Sequence, residues 1–244
     1  MPEGPSIVIL KELVSQFAGK KITKVSGNTK VEKERLLNKK LLAFESWGKH
    51  FLILFKGMYV RIHFMLFGSY SINEEKEGRV PRLALKFTNG SLYFYACSVK
   101  IEDGEAGATY DWRSDVMSDA WDPAFVLEQL RADPGRMVCD VLMDQEIFSG
   151  VGNIIKNEVL FRIKVHPESL VSALPVSKQK RLIHEARKYS FQFYEWKKLF
   201  VLRKHYKIYK SKLCPRCNNK SELRPTGMGK RRSFICTNCQ VLYK

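Results

Sequence analysis

The chain has 244 residues, with 42 Lys or Arg against 25 Asp or Glu and a formal net charge of +17. Its 45% hydrophobic and 12% aromatic content exclude a disordered basic tail and supply one large core or two ordinary ones. The charge calls for a polyanion, and no apolar run reaches the roughly 18–20 residues of a membrane span, so nucleic acid is favoured over a membrane. The start of the chain has neither a basic leader nor an apolar signal core, which gives the expectation of a cytoplasmic, nucleoid-associated protein. Disulfides are rare there, so the six cysteines are expected to be metal ligands or buried thiols.

Taken in order, residues 5–18 are predicted to form a helix, with Ile7, Leu10, Val14 and Phe17 at helical spacing between Pro5 and Gly19. The period then shortens toward two. Residues 41–47, 50–55, 58–64, 82–88 and 91–97 read as strands, and Asn89-Gly90 joins the last two as a hairpin because both residues tolerate positive φ. Residues 20–101 are therefore expected to be an antiparallel sandwich or barrel. The acidic and small residues of 102–121 read as a linker. Asp122-Pro123 opens a helix over 123–132, residues 137–144 and 153–163 supply two more, and Ser177 is expected to cap a long one reaching about residue 200. The fold class expected is α+β and multidomain: a β domain over 1–115, a helical domain over 116–204 and a small module over 205–244.

That module holds most of the charge. Twelve Lys or Arg stand against one acid, Glu222, in residues 201–244, which is +11 of the +17. They are interleaved with Tyr206, Tyr209, Phe234, Tyr243 and four cysteines, which a solvated tail would not need. Cys214-Pro-Arg-Cys217 and Cys236-Thr-Asn-Cys239 are two C-x-x-C pairs with eighteen residues between them. Each pair puts two sulfurs on one turn, and two such turns make a tetrahedral thiolate site for one structural zinc ion with no ligand position left open. Cys97 and Cys139 lie in apolar runs and read as buried thiols.

Two further segments carry chemistry only in combination. Ser149-Gly150-Val151-Gly152-Asn153 makes a tight turn into the helix at 153, whose first N–H groups favour a phosphate, although a plain helix connection would carry the same glycines. At the N-terminus, Met1-Pro2-Glu3-Gly4-Pro5 is open to aminopeptidase trimming that would expose the Pro2 amine. With a pKa of roughly 8, an α-amine is partly uncharged near neutral pH and can attack a sugar C1′ to form an iminium. A plain N-terminal turn fits the same residues.

Together, the N-terminal PEGP, the QEIFSGVGNIIKNEVLFRIKVHP segment and the C-terminal four-cysteine ribbon ending in CTNCQ resemble the formamidopyrimidine-DNA glycosylase/endonuclease VIII family over essentially the whole chain. The resemblance implies an N-terminal β-sandwich with its helix, a helix-two-turn-helix domain and a β-hairpin zinc finger. It implies a base-excision glycosylase with AP-lyase activity by β,δ-elimination, whose partner is double-stranded DNA with oxidised bases or abasic sites, and a monomer is expected. Pro2 is the nucleophile in that reading, Glu3 the general acid/base, and Lys49 a hairpin lysine that holds a phosphate and assists at the lesion. Asn153 and Arg231 match backbone-phosphate contacts, and Tyr209 matches an aromatic one. A flipped base leaves a gap, and Met65, Leu66 and Phe67 lie where the family inserts void-filling side chains; by periodicity alone they are sandwich core. The short segment between His166-Pro167 and Cys214 lacks the insertion of the oxidised-purine enzymes, and PEGP replaces PELP, so the endonuclease VIII branch and oxidised pyrimidines are favoured. Oxidised purines, or a non-catalytic damaged-DNA-binding protein of the same fold, are the alternatives. Ser6 departs from a frequent glutamate near the nucleophile.

Overall fold

Alternating apolar residues in the first half of the chain close into two facing antiparallel sheets. The computed structural model describes residues 2–244; Met1, whose trimming the sequence reading expects, lies outside the described residues. The strands are β1 (Lys24–Ser26), β2 (Ala43–Trp47), β3 (His50–Phe55), β4 (Met58–His63), β5 (Ser69–Ile72), β6 (Leu83–Phe87), β7 (Gly90–Tyr95) and β8 (Ser98–Asp103). One sheet runs β1-β6-β7-β5 and the other β2-β3-β4-β8. Phe51, Ile53, Val60 and Ile62 of the second sheet meet Leu83, Leu85, Leu92 and Phe94 of the first in one buried core. Helix α1 (Gly4–Leu13) adds Ile7 and Leu10 to it.

The chain divides into two compact units, one ending at Tyr110 and the other spanning Asp111–Lys244. In the second, α2 (Pro123–Ala132), α3 (Val138–Val141), α4 (Asn153–Ile163) and α5 (Val176–Lys198) surround a core that includes Val126, Leu142, Val159, Leu182 and Tyr189. A hairpin of β9 (Glu222–Thr226) and β10 (Arg231–Ile235) belongs to the same unit. The fold is thus α+β: an antiparallel sandwich with an N-terminal helix, then a helical unit bearing a four-cysteine hairpin module. Among the described residues no helix is long and apolar enough to cross a membrane.

Four readings of the sequence change. The first helix ends at Leu13, and a tighter turn over Ser15–Phe17 carries the Phe17 ring onto Phe87 at 4.8 Å. Residues 102–121 are no loose linker: β8 runs to Asp103, and Ala106, Tyr110, Ser114, Asp115 and Val116 are buried. The helix predicted over 137–144 is the four-residue α3. Ser177 does not cap α5, because the helix starts at Val176 and the Pro175 carbonyl accepts from the Lys178 and Gln179 N–H groups at 2.8 and 3.1 Å.

The end of α5 holds a stored strain. Val201 N–H reaches the Trp196 carbonyl (2.9 Å) and Phe200 N–H reaches that of Lys197 (3.1 Å), the paired bonds of a Schellman cap. The left-handed position of such a cap suits glycine, yet here it is Phe200, with φ 59 and a side chain 96% exposed. Replacing Phe200 with Gly relieves a left-handed penalty of about 1–2 kcal/mol, offset in part by glycine's chain entropy. Thermal unfolding of Phe200→Gly is therefore expected at a Tm a few degrees above that of the parent. A lower Tm would mean that the ring makes a stabilising contact after all.

Candidate functional site

In the first unit, the candidate residues gather at the N-terminus of α1 and at two turns of the β2-β3-β4 sheet. Glu3 is the N-cap residue of α1, and its carbonyl accepts from Ser6 N–H at 2.8 Å. Its carboxyl makes no capping bond, and the residue is only 1% exposed. A buried carboxyl is expensive unless it is partnered, and the positive end of a helix favours its charge. Pro2 precedes it, half-buried.

Lys49 sits on the two-residue turn between β2 and β3, where Trp47 pairs with His50. Gly48 has φ 53, as the first central position of a primed hairpin turn requires. His50 in turn faces His63 across β3 and β4, with the rings edge-on at 5.5 Å, and Trp47 and Tyr110 close the group at 5.7 Å from the His50 ring. Burial, then the nearby charges of Arg61, His63, Lys49 and Lys100, push the His50 pKa down to about 4. Burial likewise lowers that of His63, with Lys49 and Arg61 adding to it. Both imidazoles are therefore neutral at pH 7, and they back the hairpin lysine without adding charge.

Just past His63 the chain makes a tight loop. Gly68 N–H donates to the Phe64 carbonyl (2.7 Å), and a Cβ on Gly68 would lie 2.1 Å from that oxygen. Phe64 is buried, but Met65 (φ 49), Leu66 and Phe67 project outward, 53%, 54% and 81% exposed. The sandwich-core alternative for these three fails. The loop turns their side chains away from the core that Phe64 enters.

The second unit builds its site on α4. The turn before it is pinned by Gln145, whose Oε1 accepts from Gly150 N–H at 3.1 Å and whose Nε2 donates to the Val151 carbonyl at 3.2 Å. Asn153, the first residue of α4, donates from Nδ2 to the Arg232 carbonyl at 3.0 Å. One turn on, the buried Lys156 ammonium reaches Ser233 Oγ (2.8 Å), and Asn157 Oδ1 accepts from Phe234 N–H (2.7 Å). The Glu158 carboxylate, with no exposed surface, accepts from the N–H groups of Lys207, Ile208 and Tyr209, each at 2.9 Å. This side of α4 thus grips the hairpin module at β10 and at its entry segment. Arg231 opens β10 with an exposed side chain at the rim of a cleft of about 330 Å³, which Arg136 and Lys156 also line. Tyr209 packs edge-on against Phe234 at 5.1 Å.

Cys214, Cys217, Cys236 and Cys239 place their sulfurs within 4.8 Å of one another. The pairs Cys214–Cys239 and Cys217–Cys236 are 3.8 and 3.4 Å apart. Zinc–sulfur bonds of about 2.3 Å in a tetrahedron put sulfurs about 3.8 Å apart, so the donor set and its spacing fit that ion. Arg216, between the first two cysteines, stacks over the Phe161 ring at 4.0 Å and donates to the Phe161 carbonyl at 2.7 Å, fastening this knuckle to the C-terminal end of α4.

Residues 1–98 match the formamidopyrimidine-DNA glycosylase N-terminal domain, and residues 114–189 match the formamidopyrimidine-DNA glycosylase H2TH domain. The chain belongs to the formamidopyrimidine-DNA glycosylase family. Within it, the chain is 35% identical over 207 residues to Endonuclease 8-like 3 of Bos taurus, covering 80% of this chain and 34% of that protein. It is 32% identical over 197 residues to Endonuclease 8-like 2 of the same organism, covering 75% and 58%. The chain therefore spans about a third to just under three-fifths of the length of these relatives. In fold it is similar to a viral DNA glycosylase (TM-score 0.83, 20% identity, 98% and 100% covered). It is also similar to the Lactococcus lactis formamidopyrimidine-DNA glycosylase bound to DNA containing an AP site (TM-score 0.84, 18% identity, 98% and 99% covered).

Sequence reasoning passed over His50, His63, Lys156, Asn157 and Glu158. The β3–β4 hairpin register, countable outward from the Lys56-Gly57 turn, would have set His50 opposite His63. Nothing in the sequence sets Lys156 and Glu158 apart from the solvated charges of other helices. The neutral histidines generate a pH prediction. A histidine whose pKa is lower folded than unfolded gives stability that is complete above the unfolded value, near 6.5, and is lost as pH falls toward 4, because only the unfolded chain takes the proton. Denaturant midpoints should fall through that window, and His50→Gln should fall less steeply. Equal slopes for both proteins would contradict the assignment.

Proposed function

We propose that this chain is a bifunctional DNA glycosylase and AP lyase that removes oxidised bases, pyrimidines foremost, from double-stranded DNA. What carries the reading is the Pro2-Glu3 pair, a potential N-terminal amine beside a carboxyl that is 1% exposed, in a chain of this family. With Met1 removed, the Pro2 nitrogen attacks C1′ of a flipped nucleotide. The glycosidic bond breaks as the departing base takes a proton from Glu3; the Glu3 carboxylate then takes the proton of the attached Pro2 nitrogen and passes it to O4′, and the C1′–O4′ bond opens to leave the C1′=N iminium. Loss of a C2′ proton from the iminium then expels the 3′ phosphate, a second elimination expels the 5′ phosphate, and water hydrolyses the iminium to free the amine.

The other residues hold the DNA in this scheme. Lys49, on its hairpin tip, pairs with a phosphate beside the lesion. Asn153, through its remaining amide N–H, and Arg231 hold backbone phosphates, with Tyr209 alongside them. Met65, Leu66 and Phe67 enter the gap left by the flipped base, a role that their exposure supports. The four cysteines hold one structural zinc ion, which fixes the hairpin and takes no part in the reaction. Likeness to Endonuclease 8-like proteins and the short segment between α5 and Cys214 favour pyrimidine lesions, and the protein acts as a monomer.

Borohydride trapping on an oligonucleotide with a single abasic site tests the chemistry, with native mass reporting Met1 and zinc. The expected product is a covalent adduct at Pro2 of protein lacking Met1 and carrying one zinc. Glu3→Gln should lose excision of an oxidised pyrimidine by roughly a hundredfold or more while keeping its affinity for abasic DNA. Protein that begins at Pro2 and binds this DNA without forming an adduct would be a non-catalytic binder.

A further inference from the structure

Apart from the α4–hairpin site, the second unit carries a groove of about 740 Å³ between α2 and α5. Its floor is apolar. Trp121, Leu127, Ile183 and Phe191 line it, and Phe191 is 39% exposed. An apolar floor open between two helices has the shape that receives the apolar face of a third helix. One edge is basic: Lys180 and Lys188 carry positive charge, with His184 between them at one-turn spacing along α5, all exposed. Arg187 forms part of the wall and donates to the Val116 and Ser118 carbonyls at 3.3 and 2.7 Å, so that end of the groove is firmly built. No acidic side chain lines it.

We propose that this groove docks an acidic amphipathic helix from a partner protein. The edge from Lys180 to Phe191 is about 16 Å long at 1.5 Å per residue, room for roughly three helical turns. A helix that sets apolar side chains at i, i+3 or i+4, and i+7 on the floor would bring carboxylates at one-turn intervals against the basic edge. The spacing of the charges, rather than their number, selects a helix over a small anion. The groove also lies away from the proposed DNA grip. On α5, Glu185 and Gln192 both accept from Arg162 of α4, at 3.0 and 2.8 Å, so the α4-facing side of the helix is a different one from the groove side. A duplex presents phosphates on a wide cylinder, and it has nothing to place on an apolar floor between two helices.

The test uses the whole protein and a synthetic fluorescent peptide of roughly four turns, with Leu or Phe at the anchor positions and Glu along one flank, plus a twin with Lys in place of Glu. Wild-type protein should bind the Glu peptide and not the Lys twin. The double variant Lys180→Glu/Lys188→Glu should bind the Glu peptide at least about tenfold more weakly, gain the Lys twin, and keep its affinity for abasic duplex unchanged. Because both substitutions lie at exposed positions, the swap separates a lost contact from a lost fold. Equal binding of the two peptides, binding of neither, or a parallel loss of duplex affinity in the double variant would each overturn the proposal, the last assigning the groove to nucleic acid.

Discussion

A single buried carboxylate organises the C-terminal half of this protein. Glu158, inside α4 and without exposed surface, accepts the N–H groups of Lys207, Ile208 and Tyr209 where the chain enters the four-cysteine module. An anion buried there would be costly alone, and three N–H donors converging on it compensate. The module shares a small apolar cluster with the helix, formed by Phe161, Ile208, Cys214 and Cys236. Polar bonds from α4 help to orient it, Asn153, Lys156 and Asn157 on β10, Glu158 on the entry segment and Arg216 returning to the helix end, and the segment after α4 adds backbone bonds between Val241 and both Lys164 and His166. The four converging sulfurs close the module on itself, and α4 with the segment that follows it sets where it points.

The same helix begins at the glycine turn that the sequence offered as a phosphate site. Asn153 and Arg231 are 78 positions apart in the chain, yet Asn153 bonds the residue next to Arg231. Their proposed DNA contacts are thus one surface held by one set of hydrogen bonds. In the first unit, tight turns do comparable work. Gly48 sets Lys49 at a hairpin tip, and Gly68 turns Met65, Leu66 and Phe67 out of the core.

Much of this was legible in the amino acids. Cysteine spacing singled out four cysteines whose sulfurs do converge, and aromatic and branched runs marked β2, β3, β4, β6 and β7. Strands β1, β5 and β8 escaped because polar and charged residues interrupt their apolar pattern. The segment 102–121 looked like a linker because small and acidic residues outnumber Tyr110 and Val116, which are buried. Ser177 lost its expected place as a cap to a proline carbonyl, which no propensity scale registers. Glu158 could not be read at all: in NIIKNEVLF an acid on a helix looks solvated until the segment 49 residues later is seen to fold onto it.

Through its bonds to β10, α4 positions Arg231. A double-mutant cycle on abasic-duplex affinity tests it most directly, with Asn157→Ala, which removes the bond to Phe234 N–H, Arg231→Ala, and both together. If Asn157 acts by placing Arg231, the double variant binds about as well as Arg231→Ala alone, and the two losses fail to add. Losses that sum to within about 0.5 kcal/mol would show that the two residues act independently, and would contradict the account.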